Sequence, residues 1–351
     1  MRTELLDLLQ CPNCSSGELE LIQKENNGSY IKNGEITCFS CGLKMGINGG
    51  ILNSVFRLNP EAQDELEGHK IMLLRERNGL TDEWLLGLPD SYSIIYPDRE
   101  WVDELADTQD LIKRISLSSG ALILDLGAGT CWATNLLTQL GFRAIALDIS
   151  TEKFVGLDSA EIFINYYGNY FERVLSDMGF ELPFKSNSFD GVFCRSSIHH
   201  SHNIKKTIAE IKRVLKPKGK LGIIEASKGI FDKQKTFGQK EKCIYKINEH
   251  IYSYIEYKGM LRESGFEFTV YNVPSLWKKF DLFSQGKKPK IKLPLKHKIV
   301  SFAVRLFWKN SCIKRLIKKI ISNYYVLLAY LFGLQVIIIA HKREDKIDKK
   351  T

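Results

Sequence analysis

The chain of 351 residues is long enough for two domains, or for one large domain with attachments. Its 44% hydrophobic and 26% charged residues are close to the globular average, which excludes a disordered or fibrous chain. The first ten residues include Glu4 and Asp7 and lack a long apolar run, so they are not typical of a secretory signal. We therefore expect a cytoplasmic protein with reduced thiols.

Two C-x2-C pairs near the start of the chain predict a metal site. Cys11 and Cys14 form the first pair, and Cys38 and Cys41 form the second. Four thiolates complete a tetrahedral site and leave no open position, so we expect a structural zinc ion rather than a catalytic one. A disulfide is disfavoured in a reducing compartment, and a thioredoxin-type motif needs only one such pair.

Residues 1–56 are predicted to form a small zinc ribbon around these cysteines. Asn26-Asn27-Gly28 and Asn33-Gly34 predict the turns of an intervening hairpin. With CPNC at 11–14, CFSCG at 38–42 and GGIL at 49–52, the segment resembles the zinc-ribbon module of the methyltransferase activator proteins. Such modules lie beside methyltransferases or at their N-termini.

Residues 57–116 are polar, with Leu and Trp at mixed spacing, a pattern that is typical of helices. We predict either a helical linker between the ribbon and the next domain or part of a substrate lid.

A glycine loop follows the first strongly apolar strand. The strand ends at Asp125 and enters Gly127-Ala128-Gly129, after which a helical pattern begins. Glycines let the backbone approach a ligand that a Cβ atom would block. Trp132 replaces the third glycine of a dinucleotide fingerprint, and the acid before the loop also disfavours NAD. Both features suit S-adenosylmethionine, for which Asp125 either orders the loop or binds the ammonium group.

Two further acids follow predicted strands. Asp148 ends the strand that begins at Arg143, about twenty residues after the glycine loop, where a carboxylate suits the two ribose hydroxyls. Asp177 follows a strand around Val174 and suits the exocyclic amine of adenine. Three acids at three strand ends therefore predict an adenosine-binding edge.

The rest of the chain alternates strands and helices. A helix is predicted at 204–215, and strands are predicted at 188–193, 220–225, 266–271 and 334–340. This alternation predicts a doubly wound α/β sheet.

Four segments in this order resemble class I methyltransferases of the type 11 group. They are LDLGAGT at 124–130, ALDIS at 146–150, SDMGFELPFKSNSFDGVFC at 176–194 and EIKRVLKPKGKLGIIE at 210–225. The resemblance implies an α/β fold over residues 117–345, a Rossmann-like seven-stranded sheet with helices on both faces and an antiparallel last strand. It also implies that S-adenosylmethionine is bound by the Gly127 loop, by Asp148 with Ile149, and by Asp177 with Met178.

Methyl transfer from a sulfonium is an in-line displacement, so positioning can supply much of the acceleration. Where the acceptor must lose a proton, His199 and His200 after the fourth strand are the candidate bases. One of them alternatively caps the next helix or packs under the cofactor. Glu249 is a further catalytic candidate. The candidate acceptor contacts are Glu249, His250, Tyr252 and Tyr254.

The acceptor class stays open at this stage. A small-molecule or lipid-linked acceptor is typical of many type 11 members. RNA is the alternative, because a zinc ribbon fused to this fold also occurs in a ribosomal RNA guanine methyltransferase. The chain lacks an Asn-Pro-Pro-Tyr or Asp-Pro-Pro-Tyr segment, and its second cysteine pair ends in Cys41 where that enzyme has a histidine ligand. Both observations disfavour RNA, and a non-catalytic cofactor-binding or interaction protein is the third alternative.

A basic insertion at about 274–331 separates the last two predicted strands. Between 278 and 319 it holds fourteen Lys or Arg and a single acid, Asp281, so the rest of the chain is acidic overall. Apolar residues recur at helical spacing from Ile299 to Ile320, which predicts a basic amphipathic helix. Such a helix either packs on the core or makes peripheral contact with an anionic membrane through 278–319. The uncharged run at 320–340 is long enough to span a bilayer, but Gly333 divides it and its second half is needed as a strand.

Overall fold

The computed structural model describes residues 1–26, 28, 30–95, 103–230, 250–285, 308, 310–332 and 334–342. The strands are β1 Leu19–Asn26, β2 Ile31–Cys38, β3 Lys44–Asn48, β4 Ile51–Asn53, β5 Leu122–Leu126, β6 Arg143–Asp148, β7 Glu172–Leu175, β8 Phe189–Arg195, β9 Leu215–Glu225, β10 Phe266–Asn272 and β11 Val336–Lys342. The helices are α1 Pro60–Glu76, α2 Asp82–Leu86, α3 Tyr92–Ile95, α4 Glu104–Ile115, α5 Trp132–Gln139, α6 Ala160–Tyr167, α7 Ile204–Val214, α8 Tyr254–Glu263, α9 Ser275–Ser284 and α10 Ser311–Phe332.

Seven strands form the centre of the fold in the order β7-β6-β5-β8-β9-β11-β10. The first five of these pair in parallel, whereas β11 is antiparallel to both β9 and β10. Every residue of β5 is buried, as expected for a parallel strand covered on both faces. The predicted Rossmann-like seven-stranded sheet with an antiparallel last strand is therefore confirmed.

The N-terminal strands continue this sheet. The antiparallel strands β1 to β4 add to it because β4 pairs in parallel with β7, Leu52 opposite Val174. The sheet consequently has eleven strands. The pairing satisfies backbone groups that would otherwise lie at the free edge of β7.

One predicted turn of the ribbon hairpin is wrong. Asn33 and Gly34 lie within β2, opposite Glu25 and Gln23, where the register with β1 shifts. A Cβ atom on Gly34 would lie 2.7 Å from the carbonyl oxygen of Ile22. This glycine therefore permits a close approach of two strands. Glycine is also typical of turns, so the sequence pattern is the same in both cases.

The predicted linker or lid forms helices with two different positions. Asn59 caps α1 by accepting a hydrogen bond from the Glu61 amide at 2.9 Å, and Pro60 opens the helix, where its missing N–H costs nothing. By contrast, α4 packs on a face of the sheet, with Leu111 and Ile115 buried in the same core as Ile337. The described parts of this segment, 57–95 and 103–116, thus contribute to the body of the fold through α4 and to the pocket at the ends of β5 to β8 through α1.

The second half of the predicted insertion is the helix α10. Residues 286–307 lie outside the described residues. α10 ends at Phe332 and β11 begins at Val336, so the uncharged run at 320–340 is divided between a helix and a strand as predicted. Across the described ranges, each helix is too short or too polar to cross a bilayer.

Candidate functional site

A pocket opens at the edge where β5, β6, β7 and β8 end. Six of the eight predicted cofactor-binding residues line it, whereas Asp125 and Ala128 do not. The six are Gly127, Gly129, Asp148, Ile149, Asp177 and Met178. Parallel strands carry their following loops to one edge, which is why separate segments of the sequence meet here.

The glycine loop needs glycine for steric reasons. Gly127 has a φ of +77°, and a Cβ atom there would lie 2.4 Å from the Cβ atom of Ser197. Its amide donates to the Leu147 carbonyl at 2.8 Å, which ties the loop to β6. A larger residue would therefore force either the loop or Ser197 to shift.

Asp148 is held in place by two backbone amides. Gly129 N donates to Oδ2 at 2.8 Å and Ser150 N donates to Oδ1 at 2.9 Å. Burial raises the pKa of Asp148 to about 6. Its carboxylate is thus oriented at the pocket wall, where it can accept further hydrogen bonds from two vicinal hydroxyls.

Asp177 has an unused acceptor. Gly179 N donates to Oδ1 at 2.8 Å, but Oδ2 is buried and lacks a hydrogen-bond partner among the described residues. Burial also raises the pKa of this carboxyl. A buried acceptor without a donor is costly, so the site suits a ligand that donates, such as the exocyclic amine of adenine. Together with the Gly127 loop, this orphaned oxygen shows that the pocket fits S-adenosylmethionine.

Asp125 serves the scaffold instead. The Thr134 hydroxyl donates to Asp125 Oδ2 at 2.6 Å, which fastens α5 to the end of β5. Burial raises the pKa of Asp125 to about 7. Of its two predicted roles, the geometry favours ordering of the loop and helix over direct contact with the ammonium group.

The two predicted histidines have different surroundings. His199 Nδ1 lies 2.7 Å from Glu225 Oε2, and the other oxygen of this fully buried carboxyl accepts from two backbone amides. His200 lines the pocket, and its Nδ1 lies 3.4 Å from Glu65 Oε1. Neither histidine caps α7, because Asn203 does so through its side chain. The helix-cap alternative is therefore wrong, and His200 is the one of the two that lines the pocket.

The helix α1 contributes one wall of the pocket. Ala62, Glu65 and His69 line the pocket from this helix. His69 Nδ1 is buried without a hydrogen-bond partner among the described residues, and burial lowers the pKa of His69 to about 4. His69 is thus neutral at physiological pH. This wall was not predicted from the sequence, although Glu61, Glu65 and His69 are spaced four residues apart and so share one helix face.

The remaining acceptor candidates are divided. His250 Nε2 lies 2.8 Å from Glu61 Oε2, and its amide donates to the His199 carbonyl at 3.2 Å. Tyr252 packs against the core, Tyr254 is buried at the start of α8, and neither lines the pocket. Glu249 lies outside the described residues. His202, which was not predicted, lines the pocket with its Nδ1 3.6 Å from Asp177 Oδ1.

The four ribbon cysteines meet in space. Cys11 Sγ lies 3.5 Å from Cys41 Sγ, Cys14 Sγ lies 3.6 Å from Cys38 Sγ, and all four sulfurs are within 4.8 Å of one another. Zn–S bonds of about 2.3 Å in a tetrahedron place sulfurs about 3.8 Å apart. The donor set and its spacing therefore fit a zinc ion.

Comparison with known proteins agrees with this geometry. Residues 124–223 match the model of a family described as a methyltransferase domain. The chain is 31% identical over 115 residues to the demethylmenaquinone methyltransferase of Corynebacterium glutamicum strain R, which covers 33% of this chain and 46% of that protein. It is 30% identical over 172 residues to an uncharacterized methyltransferase of Schizosaccharomyces pombe, which covers 45% and 64%. These matches show that this part of the chain is similar to methyltransferase domains.

The chain spans about half the length of the first of these relatives. A chain in the solved complex between the Haloferax volcanii Trm112 methyltransferase activator and the putative methyltransferase aligns with a TM-score of 0.45 and 17% identity, covering 74% of this chain and 96% of that one. Haemonchus contortus phosphoethanolamine N-methyltransferase 2 with S-adenosyl-L-methionine aligns with a TM-score of 0.49 and 15% identity, covering 93% and 69%.

We expect Asp148→Asn to weaken binding of S-adenosylhomocysteine by about 10- to 100-fold at pH 8, because charge-assisted hydrogen bonds to the ribose are lost. With a pKa of about 6, the Asp148 carboxyl of the free protein is mostly protonated at pH 5. It must lose that proton to accept from both hydroxyls, so wild-type affinity rises with pH through about 6 and then levels off. Calorimetry at pH 5, 6 and 8 measures this dependence.

The matched control for this variant is Asp110→Asn, which removes a carboxylate that pairs with Arg114 at 2.7 Å on α4. It should bind like the wild type. Because Asp177 also has a raised pKa, the contribution of Asp148 is the difference in pH dependence between wild type and Asp148→Asn. Equal affinity of these two proteins at pH 8 would remove the ribose assignment.

Proposed function

We propose that this protein is an S-adenosylmethionine-dependent methyltransferase that acts on a small-molecule or lipid-linked acceptor. The observation that carries the proposal is the composition of one pocket. Asp148 and Asp177, with its orphaned Oδ2, supply acceptors for an adenosine, while His200 and Glu65 lie in the same pocket as groups for an acceptor. The bound cofactor would supply an electrophilic methyl group.

The residues of this chain would hold the acceptor and receive its proton. In-line transfer requires the acceptor atom to be held close to the methyl group, and the wall formed by α1 limits where it can lie. An acceptor that starts as O–H, C–H or N–H⁺ must also lose a proton. We assign this role to His200, with Glu65 as a positioning residue because it lies near His200 Nδ1.

Two observations support a small or lipid-linked acceptor. The pocket is bounded by Ala62, Glu65 and His69 of α1, so the acceptor shares its space with a helix. The relative from Corynebacterium glutamicum is named for demethylmenaquinone, a lipid-linked compound. RNA, the alternative from the sequence, gains no specific support from the pocket.

We further propose that Cys11, Cys14, Cys38 and Cys41 hold a structural zinc ion. The support is the convergence of both pairs, with sulfur separations of 3.5 and 3.6 Å. An ion with four protein ligands keeps no position for substrate, so its contribution is to the folding of the ribbon.

The acceptor class is tested with methyl-labelled cofactor and fractionated cell extract. We expect label to move into the organic-soluble lipid or the small-metabolite fraction, with formation of S-adenosylhomocysteine. The matched blank is Asp148→Asn at a cofactor concentration that saturates only the wild type. Label that follows RNA would move the protein to the alternative class, and cofactor binding without turnover in every fraction would make it a non-catalytic binder.

A further inference from the structure

The outward face of α10 carries an apolar stripe. Leu316, Ile320, Tyr324 and Leu327 lie on successive turns and are 57%, 48%, 59% and 50% exposed. At 1.5 Å per residue, the stripe is about 16 Å long. Single exposed apolar residues are ordinary on protein surfaces. Four aligned on one helix form a contiguous apolar surface of the kind that binds a membrane or another protein.

Contacts on the opposite side fix the orientation of this helix. Tyr325 and Ala329 are buried, and the Tyr325 hydroxyl donates to the Gln335 carbonyl at 2.5 Å. Ile317 and Ile321 pack beside Trp308. Because these residues hold the inner face against the protein, rotation of α10 cannot bury the stripe without breaking them. The predicted apolar set is thus divided, with Ile317 turned inward and Leu316 and Ile320 turned outward.

The positive charge of α10 is divided in the same way. Lys314 Nζ lies 2.5 Å from Asp281 Oδ1, and Lys318 Nζ lies 5.3 and 6.0 Å from the centres of two indole rings. These two lysines belong to the inner contact. Arg315 and Lys319 are exposed and follow one another on adjacent turns beside the stripe. Residues 311–332 contain no acid.

We propose that this outward face binds the surface of an anionic lipid bilayer. An apolar stripe flanked by cations suits an interface in which acyl chains lie beneath negatively charged headgroups. Binding to nucleic acid phosphates would use the cations but leave the apolar stripe in water. The sequence predicted a membrane contact through 278–319, whereas the proposed surface is one face of 311–332. Residues 286–307 of the predicted contact lie outside the described residues.

The surface is connected to the acceptor side of the pocket. α10 contacts α8, which begins four residues after His250, and the His250 amide donates to the His199 carbonyl. Docking through α10 would hold the acceptor side near the lipid. This consequence rests on the proposed function, whereas the docking itself does not.

Vesicle co-sedimentation of the full chain tests the proposal. Two kinds of vesicle are compared, each at low and high salt: phosphatidylcholine alone, and phosphatidylcholine with 30 mol% phosphatidylglycerol as the anionic probe. The 30 mol% fraction is chosen to give a strong negative surface charge. We expect wild-type binding only with the anionic vesicles, weaker at high salt. The combined variant Leu316→Ser, Ile320→Ser and Leu327→Ser should bind about tenfold less. Arg315→Gln with Lys319→Gln should lose most of the salt dependence.

The matched control is Leu74→Ser with Leu140→Ser, which removes one exposed leucine on α1 and one directly after α5 and should bind like the wild type. Thermal unfolding and calorimetry with S-adenosylhomocysteine show that each variant is folded, independently of any methyl transfer. The proposal is overturned if the wild type binds neither vesicle, or if the triple serine variant binds as well as the wild type. It is also overturned if the wild type is a dimer without lipid and that variant is a monomer, since the stripe would then be a protein interface.

Discussion

The His200→Gln variant is expected to transfer methyl groups about 100-fold more slowly than the wild type while binding S-adenosylhomocysteine with unchanged affinity. Removal of a positioned general base costs roughly 10²- to 10⁴-fold, and the lower end applies because in-line transfer also gains from positioning. His200 lies in the pocket wall beside Glu65, whereas Asp148 and Asp177 are on other loops. The initial rate of label transfer into the acceptor fraction measures the effect.

Two variants separate catalysis by His200 from general damage. His341→Gln removes a half-exposed histidine on β11 and should leave the rate unchanged. Glu65→Gln should reduce the rate less than His200→Gln, because a glutamine can still contact the imidazole. A rate for His200→Gln within about twofold of the wild type would show that the acceptor loses its proton by another route.

Cys38→Ser is expected to reduce the zinc content from about one ion per chain to almost none. It should also lower the unfolding temperature by about 10 °C. Structural zinc contributes about 10 kcal/mol or more to the folding free energy of isolated zinc-finger peptides at neutral pH. If about half of that is lost here, a change of about 2 °C in unfolding temperature per kcal/mol gives this shift. Elemental analysis and thermal unfolding measure the two effects.

The loss should reach the cofactor site, because the ribbon continues the central sheet. Leu52 on β4 is opposite Val174 on β7, and both the amide and the hydroxyl of Ser54 donate to the Leu175 carbonyl at 2.9 Å. The loop after β7 carries Asp177, so we expect a several-fold weaker affinity for S-adenosylhomocysteine. The matched control is Cys312→Ser, which removes an exposed cysteine on α10 and should retain the zinc. Zinc-free wild type after purification without chelator would refute the metal assignment.

The sequence by itself determined which loops meet at the pocket, because its signals are local. Gly127 directly follows β5, Asp148 is the last residue of β6, and Asp177 lies two residues after β7. Parallel strands place such strand ends and loops side by side. The two C-x2-C pairs are local in the same sense, since each turn presents two thiolates to one point. In both cases the spacing along the chain already limits the positions in space.

Only the tertiary structure decided which residues complete the site. Glu65 and His200 are far apart in the sequence, and they meet because α1 packs across the edge of the sheet, which no local pattern specifies. His199 and His200 are adjacent and chemically alike, but their contacts differ. His199 contacts Glu225 at the end of β9, whereas His200 lines the pocket.

The same limit applies to α10 and to the ribbon. Helical periodicity predicted that Ile317 and Ile320 share an apolar helix, but the contacts around Trp308 and Tyr325 determined which of them faces inward. Asn33-Gly34 has the residue types of a turn, but pairing with β1, close to the Ile22 carbonyl, places it within a strand. Local chemistry restricts each segment to a few conformations, and the choice among them depends on contacts between residues that are distant in the chain.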